Sequence, residues 1–393
     1  MMRIVFLAYS YDNLYLPDGI QNRRLAKGLK ECNVQLDIVC RNFNNLHENQ
    51  KNIYYIKSPD LHYIDRIMYI LFPFLYPIFS VDKLIWSLFC LKYFKNRKCG
   101  YILTTYEPFS LMFLVKKLKS KKMSIIQLLY DPLFDNPYYS SSKISLQIRK
   151  KAEKYIVNTS DLLLLNSQLL YDRFCLRYSD CKEKFRKLYL CGDDNVLNFR
   201  RSLFNNKKIT VVHAGNLHGH RSIIPIILVV QELQKRYEGN LSDRMSFDFY
   251  GTVRNEDMNL VTKYGLDELF HFHGFVSQDN LYPILCDADV LLIIDSLGNE
   301  NCCFPSKLCE YLFTQNVVVA FTPYVSATRE IMILSQNHCF TGEDILECSQ
   351  LFMNFFNRNN VGDVKNNYYE EFIPYNVAKK LINFITDISN RNA

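Results

Sequence analysis

The window His213-Ala-Gly-Asn-Leu-His-Gly-His-Arg221 leaves an apolar run and enters a helical pattern, and it contains the residue types that an anion needs. Gly215 and Gly219 permit a tight backbone path and close approach, a helix start supplies free N–H groups, and Arg221 supplies a two-pronged positive charge. A diphosphate fits that description. An ordinary strand-to-helix turn with a surface arginine fits it equally, because a glycine-rich turn is a weak signal alone. A second window, Gly298-Asn-Glu-Asn-Cys-Cys-Phe-Pro-Ser-Lys-Leu-Cys-Glu310, follows an apolar run that ends at Asp295. Pro305 and Ser306 can start a helix, which puts Lys307 in its first turn and Glu310 one turn later on the same face. A lysine there opposes the helix dipole and so needs an anionic partner. Glu310 could accept hydrogen bonds from the paired hydroxyls of a ribose, or the two could form a plain surface ion pair.

Other candidates are more dispersed. In Asp131-Pro-Leu-Phe-Asp-Asn-Pro-Tyr138, Asp131 and Asp135 stand where a strand should end. Either could orient or deprotonate a hydroxyl, or both could simply initiate turns before proline. His213, His218, His220, His271 and His273 cluster in sequence. His271 and His273 alternate on one strand, yet no third ligand can be placed, so no metal is expected; His213 and His218 could line a ligand pocket instead. Thirteen cysteines include no CxxC pair, and Cys302 and Cys303 have no His or Cys at zinc-ligand spacing nearby. Reduced thiols and a cytoplasmic setting are the expectation.

The elements that must position these residues alternate between short apolar runs and amphipathic helical stretches, the pattern of βαβ units around parallel sheets. Strands are expected at 3–8, 35–40, 53–57, 101–105, 124–129, 161–166 and 187–191, with helices at 21–31, 110–119, 144–155 and 167–178. A polar stretch at 200–208 reads as a linker. Strands follow at 209–214, 247–250, 270–273, 290–295 and 317–321, with helices at 223–237, 279–286, 306–313 and 344–356, and a last amphipathic stretch at 376–388 after Pro374. The 393 residues therefore divide into an N-terminal domain, 1–200, a second domain, 201–373, and a C-terminal helix, 374–393. Both domains are α/β and doubly wound, with a cleft between them, and ligands of such sheets bind at the carboxyl ends of the strands.

Charge is uneven along the chain. Residues 1–200 carry 31 Lys and Arg against 18 Asp and Glu, a net +13, and the remainder carries 16 against 22, a net −6. The basic half is expected to face an anion. The sole tryptophan, Trp86, lies on an apolar helix beside the run Phe72-Pro-Phe-Leu-Tyr-Pro-Ile-Phe79, flanked by Lys83, Lys92, Lys95, Arg97, Lys98 and the lysines of 116–122. Such a strip is either core or a membrane contact. An apolar wedge with a basic flank is what peripheral binding to an anionic membrane requires. Nucleic acid is not expected, since no nucleic-acid module is recognisable. The run 67–81 is too short for a bilayer span, and the N-terminus has too short an apolar stretch for a secretory leader.

The stretches His273-Gly-Phe-Val-Ser277 and Ala288-Asp-Val-Leu-Leu-Ile-Ile-Asp295, followed by Pro305-Ser-Lys-Leu-Cys-Glu-Tyr-Leu312, closely resemble family 4 glycosyltransferases of the GT-B fold. The resemblance implies two Rossmann-like domains facing a central cleft, with the C-terminal helix packing back on the first. It implies that Glu310 holds the nucleotide ribose and that Arg221, six residues after Gly215, contacts the donor diphosphate with Lys307. Asn216 stands where many members have a second arginine. Cys302 stands eight before Glu310, where many have a first glutamate. Glu300, or the backbone of the Cys303–Phe304 loop with Pro305 and Ser306, would then hold the donor sugar.

The first half is similar along most of its length. Pro17-Asp18-Gly19 with Arg23 and Arg24 resembles the loop and helix that cover the donor phosphates, which places Gly19 at the donor. Asp82, Trp86, Thr104-Thr-Tyr-Glu-Pro108 with its Glu107, and the Asp131–Tyr138 stretch with Asp135 resemble a branch that builds bacterial surface polysaccharides. By that likeness Asp82, Trp86, Glu107 and Asp135 contact the acceptor, and Asp131 joins Arg221 and Lys307 in catalysis. The implied activity is retaining, metal-independent transfer from a nucleotide sugar, UDP-linked, to a lipid-linked oligosaccharide in capsule, O-antigen or exopolysaccharide synthesis. It would take place at the cytoplasmic face of the membrane with no cofactor. An inactive GT-B-like partner subunit and a nucleotide-sugar epimerase of the same fold are the alternatives.

Overall fold

Near-continuous apolar runs such as Ile4-Val-Phe-Leu7 and Leu162-Leu-Leu-Leu165 suit strands covered on both faces, the situation of a parallel sheet sandwiched by helices. The structure, a computed structural model, describes every residue except 1, 12–15, 44–46, 77, 96–99, 106–108, 110, 120–122, 135, 137–138, 140–141, 200–207, 218, 297, 357–366 and 393. It contains two compact units, Met1–Cys191 with Glu371–Ala393, and Gly192–Glu370.

In the first unit the order is β1 (Arg3–Leu7), α1 (Pro17–Glu31), β2 (Gln35–Arg41), β3 (Ile53–Ile56), α2 (His62–Leu71), α3 (Val81–Phe94), β4 (Tyr101–Thr105), α4 (Leu111–Lys119), β5 (Ser124–Leu129), α5 (Lys143–Thr159), β6 (Leu162–Leu165), α6 (Gln168–Arg177) and β7 (Phe185–Lys187). Among the described residues these strands form one parallel sheet ordered β3-β2-β1-β4-β5-β6-β7. The order reverses between β1 and β4, so the switch point of this sheet lies at their carboxyl ends.

The second unit runs β8 (Ile209–Ala214), α7 (Ile224–Arg236), β9 (Met245–Tyr250), α8 (Asn255–Lys263), β10 (Phe270–Gly274), α9 (Gln278–Asp287), β11 (Val290–Ile294), β12 (Glu300–Asn301), α10 (Lys307–Thr314), β13 (Val317–Phe321), β14 (Val325–Ser326), α11 (Ala327–Leu334), β15 (His338–Phe340) and α12 (Ile345–Phe356). Its main sheet is ordered β10-β9-β8-β11-β13-β15. Here the order reverses between β8 and β11, which brings the ends of these two strands, Ala214 and Ile294, to one switch point.

The last helix, α13 (Pro374–Asn392), belongs to the first unit. Its Val377, Ala378, Leu381 and Ile385 are buried with Leu25, Ala26 and Leu29 of α1. Contact between the two helices is close, because a Cβ at Gly28 would overlap the Pro374 carbonyl and lie 3.0 Å from the Tyr375 nitrogen.

Several boundaries differ from expectation for identifiable reasons. The units divide ahead of residue 200: Asp193 accepts from the Tyr282 hydroxyl at 2.8 Å, and Val196 O accepts from Cys286 Sγ at 3.8 Å, which ties this segment to α9. The expected linker at 200–208 lies outside the described residues except for Lys208. The strand expected at 187–191 is instead β7, pairing Leu163–Leu165 with Phe185–Lys187. The apolar run that follows is buried without a ladder, and the Cys191 amide donates to the Gln21 side chain at 3.0 Å. β15 and α11 have no sharp sequence signal. They add an edge strand beside β13, with Val319–Phe321 opposite His338–Phe340.

Candidate functional site

The first window folds into a tight passage at the end of β8. Gly215 has φ +137° and Gly251 has φ +122°, values that side chains rarely adopt. Gly251 packs on Gly215 so closely that a Cβ there would lie 2.6 Å from the Gly215 carbonyl oxygen. The turn is held from both sides, as the Gly215 amide donates to Tyr250 O at 2.7 Å and the Asn216 side chain accepts from the Thr252 amide at 2.9 Å. Asn216 is thus exposed but engaged in shaping the turn. Beyond it, the buried Asp257 holds Arg254 through three contacts of 2.8–3.1 Å and accepts from Ser222 at 2.8 Å. Arg254 in turn reaches Gly219 O at 3.4 Å. Arg221 lies in this loop, three residues before α7 begins.

The second window brings Lys307 to the same place. Its side chain crosses Gly215, where an added Cβ would come within 2.9 Å of Lys307 Cε, and its Nζ lies 3.4 Å from His213 Nε2. His213 is fully buried and its Nδ1 is 2.9 Å from Leu292 O on β11. That carbonyl can only accept, so Nδ1 carries the proton and Nε2 faces Lys307 with its lone pair. Burial, with Lys307 and Arg221 nearby, holds the imidazole far below its usual range and keeps it neutral. Burial also pulls the Lys307 ammonium down to about 7, and Arg221 adds to the effect, while Asp295 opposes it. A lysine ammonium held down by burial and by a neighbouring cation gains from an anion placed against it.

Asp295, directly after β11, is the nearby carboxylate that sequence reasoning passed over. It is buried and accepts from Thr328 Oγ1 at 2.7 Å, the Ser296 amide at 2.9 Å, Thr322 Oγ1 at 3.2 Å and the Asn301 side chain. Burial still raises its pKa above the ordinary carboxylate range. A lone acid closing a five-residue apolar strand at a switch point was the available signal. Asn301 passes the constraint on, because its Oδ1 accepts from the Cys303 amide at 3.0 Å and it pairs with Ser326 across β12 and β14. Cys302, Cys303 and Phe304 are consequently buried, Pro305 and Ser306 are partly buried, and Glu300 is exposed. In α10, Glu310 is buried one turn after Lys307. The neighbouring Tyr311 hydroxyl accepts from the Ala214 amide at 2.7 Å, which pins the helix to the end of β8.

Candidates in the first unit fare differently. Trp86 is wholly buried, edge-on to Tyr9 at 5.1 Å between ring centres, so it is a core residue and not an acceptor contact. Asp82 is also buried and committed: it accepts from Tyr9 at 2.8 Å, the Leu61 amide at 2.9 Å and Arg41. Burial alone would raise its pKa, but the hydrogen bonds from Arg41, Leu61 and Tyr9 outweigh it and hold the carboxyl low. This network anchors α3 to the ends of β1 and β2 and holds Asp82 out of solvent. Gly19 is buried in the first turn of α1. Asp131 follows the end of β5, half-buried. Glu107, Asp135, His218, Arg97, Lys98 and the lysines at 121 and 122 lie outside the described residues. Among the described residues no three His, Cys, Asp or Glu side chains gather as a metal site, and no helix is long and apolar enough to cross a membrane.

No family model matches the chain, and no curated protein matches it either. Solved structures do. Sucrose-phosphate synthase from Thermosynechococcus elongatus superposes with a TM-score of 0.71 at 14% identity, covering 100% of both chains. Anabaena HepE, solved in complex with UDP, gives 0.68 at 13% identity over 98% of this chain and 100% of its own. A UDP-forming trehalose-phosphate synthase from Burkholderia xenovorans gives 0.66 at 12% identity over 100% of each. The chain shares their fold, two Rossmann-like units of the GT-B type.

Proposed function

We propose that this chain is a retaining glycosyltransferase of the family 4 type that moves a sugar from a UDP-linked donor to a lipid-linked oligosaccharide, serving surface-polysaccharide synthesis. The observation that carries the donor half is the meeting of Lys307 with Gly215 and His213 at the β8/β11 switch point, with Arg221 in electrostatic range. Glycine at 215 leaves room for the Lys307 side chain to cross the turn. Lys307 and Arg221 would take up the charge that develops on the departing diphosphate, a contribution that preorganised cations make most effectively out of water. Glu310, one turn after Lys307, would receive ribose hydroxyls. Asn216 and the buried Cys302–Phe304 segment shape the loop, so donor-sugar contacts would come from backbone there or from Glu300. HepE having been solved with UDP supports the choice of nucleotide.

The acceptor half rests on the basic first unit, Asp131 at the end of β5 and the likeness to surface-polysaccharide enzymes. Diphosphate charge met by side chains is what makes a resident metal unnecessary in this proposal. The test is a thermal-shift panel of UDP, GDP, dTDP and their sugars. A ligand at 100 times its Kd adds about 2.7 kcal/mol, so a UDP compound should raise the melting temperature most. Stabilisation by none of them would overturn the donor assignment. Transfer of labelled sugar to extracted lipid-linked saccharide then tests the acceptor.

A further inference from the structure

We infer that a pocket in the first unit, between α4 and α5, binds one hydrocarbon chain of a phosphate-headed lipid. The cavity measures about 390 Å³ and is walled by Met112, Phe113, Ile148, Ala152 and Tyr155, with Lys116 and Lys151 also lining it. Its walls follow from helix periodicity. Ile148, Ala152 and Tyr155 recur at steps of four and three along α5 as an apolar stripe, and α4 adds Met112 and Phe113, with Lys116 one turn after Met112. Bulky side chains at these positions would normally interlock, but Ala152 leaves a gap opposite Met112 and Phe113. Phe113 is 54% exposed, although a phenyl ring of that size is usually covered.

The occupant follows from the lining. The volume lies in the ~300–1,000 Å³ range of small-ligand sites and admits roughly a dozen methylene-sized groups at the ~30 Å³ that a water-sized group takes in a liquid. A peptide would bring backbone N–H and C=O groups that these walls could not pair, and a free sugar phosphate would leave them dry and unused. One alkyl or isoprenoid chain fills them without an unmet polar group. The two lysines supply the charge for a phosphate head, and neither is paired with a carboxylate among the described residues. Lys117 stands in the same last turn of α4, whereas Lys119 is paired with Asp161 at 3.1 Å and adds no free charge. The segment reaching the pocket through Ile78 comes from α2, whose Ile67, Ile70 and Leu71 are exposed, a surface suited to the hydrocarbon from which such a chain would enter. As to which lipid occupies it, the inference rests on the lipid-linked acceptor reading.

The experiment titrates the full chain with octyl, decyl and dodecyl phosphate below their aggregation limits. Affinity should rise about fourfold per added methylene, the factor that ~0.8 kcal/mol represents, and level off once the pocket is full. Alkyltrimethylammonium of equal length should bind at least tenfold more weakly. Ala152→Phe and, as a second filling variant, Ile148→Trp should each lose more than tenfold for decyl phosphate while the UDP thermal shift is retained. Lys116→Glu with Lys151→Glu should weaken the phosphate but not an uncharged alkyl glycoside. Affinity independent of chain length, or unmoved by both filling variants, would overturn the pocket. Binding to anionic vesicles but not to monomeric alkyl phosphates would do the same, leaving a surface patch. If the pocket behaves as expected yet no lipid-linked acceptor is glycosylated, the acceptor reading falls and the pocket stands. If both filled variants glycosylate lipid-linked acceptor as well as the wild type does, the acceptor reading stands and the pocket falls as the site of its lipid.

Discussion

Titration of Lys307 is expected to govern donor affinity between pH 6 and 9. Its ammonium is pulled from 10.5 to about 7 by burial and by Arg221, which at ~1.4 kcal/mol per pH unit corresponds to about 5 kcal/mol held against the charged form. An anion placed between the two cations returns part of that energy, so the lysine is charged in the complex over a wider range than in the free chain. UDP-glucose is the suitable probe, because its diphosphate diester keeps its charge across this window. Below pH 7 both states carry the proton and Kd should be flat. Above pH 7 binding must take up a proton, and Kd should weaken toward tenfold per pH unit. Stability of the free chain runs the other way. Unfolded chains bind the lysine proton up to about 10.5 while the folded one has released it near 7, so this residue's contribution rises with pH between those values. His213 adds no titration in the window, being held neutral by burial and by Lys307. Calorimetric titrations at half-unit steps, in buffers of differing ionisation heat, measure Kd and the proton uptake together. Lys307→Met should bind weakly with no pH dependence above 7. An identical pH profile in wild type and Lys307→Met would refute the assignment.

Other perturbations separate site from scaffold. Arg221→Ala should cost donor binding and turnover by about 1.5–3 kcal/mol, a ten- to hundredfold loss typical of a charged hydrogen bond, read from steady-state kinetics; normal turnover would exclude Arg221 from leaving-group stabilisation. Gly215→Ala places a Cβ against the Lys307 side chain at a backbone angle costing roughly 1–3 kcal/mol, and should lower both the melting temperature and the UDP shift. Trp86→Ala should destabilise by about 3–5 kcal/mol, measured by urea denaturation, and Asp82→Asn should also destabilise by breaking the buried Arg41 pair. A change in acceptor KM at unchanged stability in either variant would show that the core assignment of these residues is mistaken.

Local sequence determined a great deal of this protein. Periodicity and turn chemistry are properties of neighbouring residues, so the strands at Tyr101–Thr105 and Val317–Phe321, the start of α10 after Pro305-Ser306 and the glycine turn after β8 were all legible. So was the placing of Lys307 and Glu310 one turn apart along one helix, since a helix repeats every 3.6 residues wherever it forms. What the chain alone left open was whether the two windows meet. His213 and Lys307 are 94 residues apart, and only the strand order β9-β8-β11-β13, which reverses beside β8, sets Gly215 beneath the lysine. Asp295 acquired its role in the same way, from threonines on the far side of β13. Burial, too, is a tertiary property. Trp86 on an apolar helix looks the same in sequence whether it faces lipid or core, and Asp82 looks free until Tyr9 and Arg41, from two other elements, close on it. The depressed pKa of Lys307 belongs to this class as well: it arises from desolvation and from a second cation that the fold brings close, and neither exists in the unfolded chain.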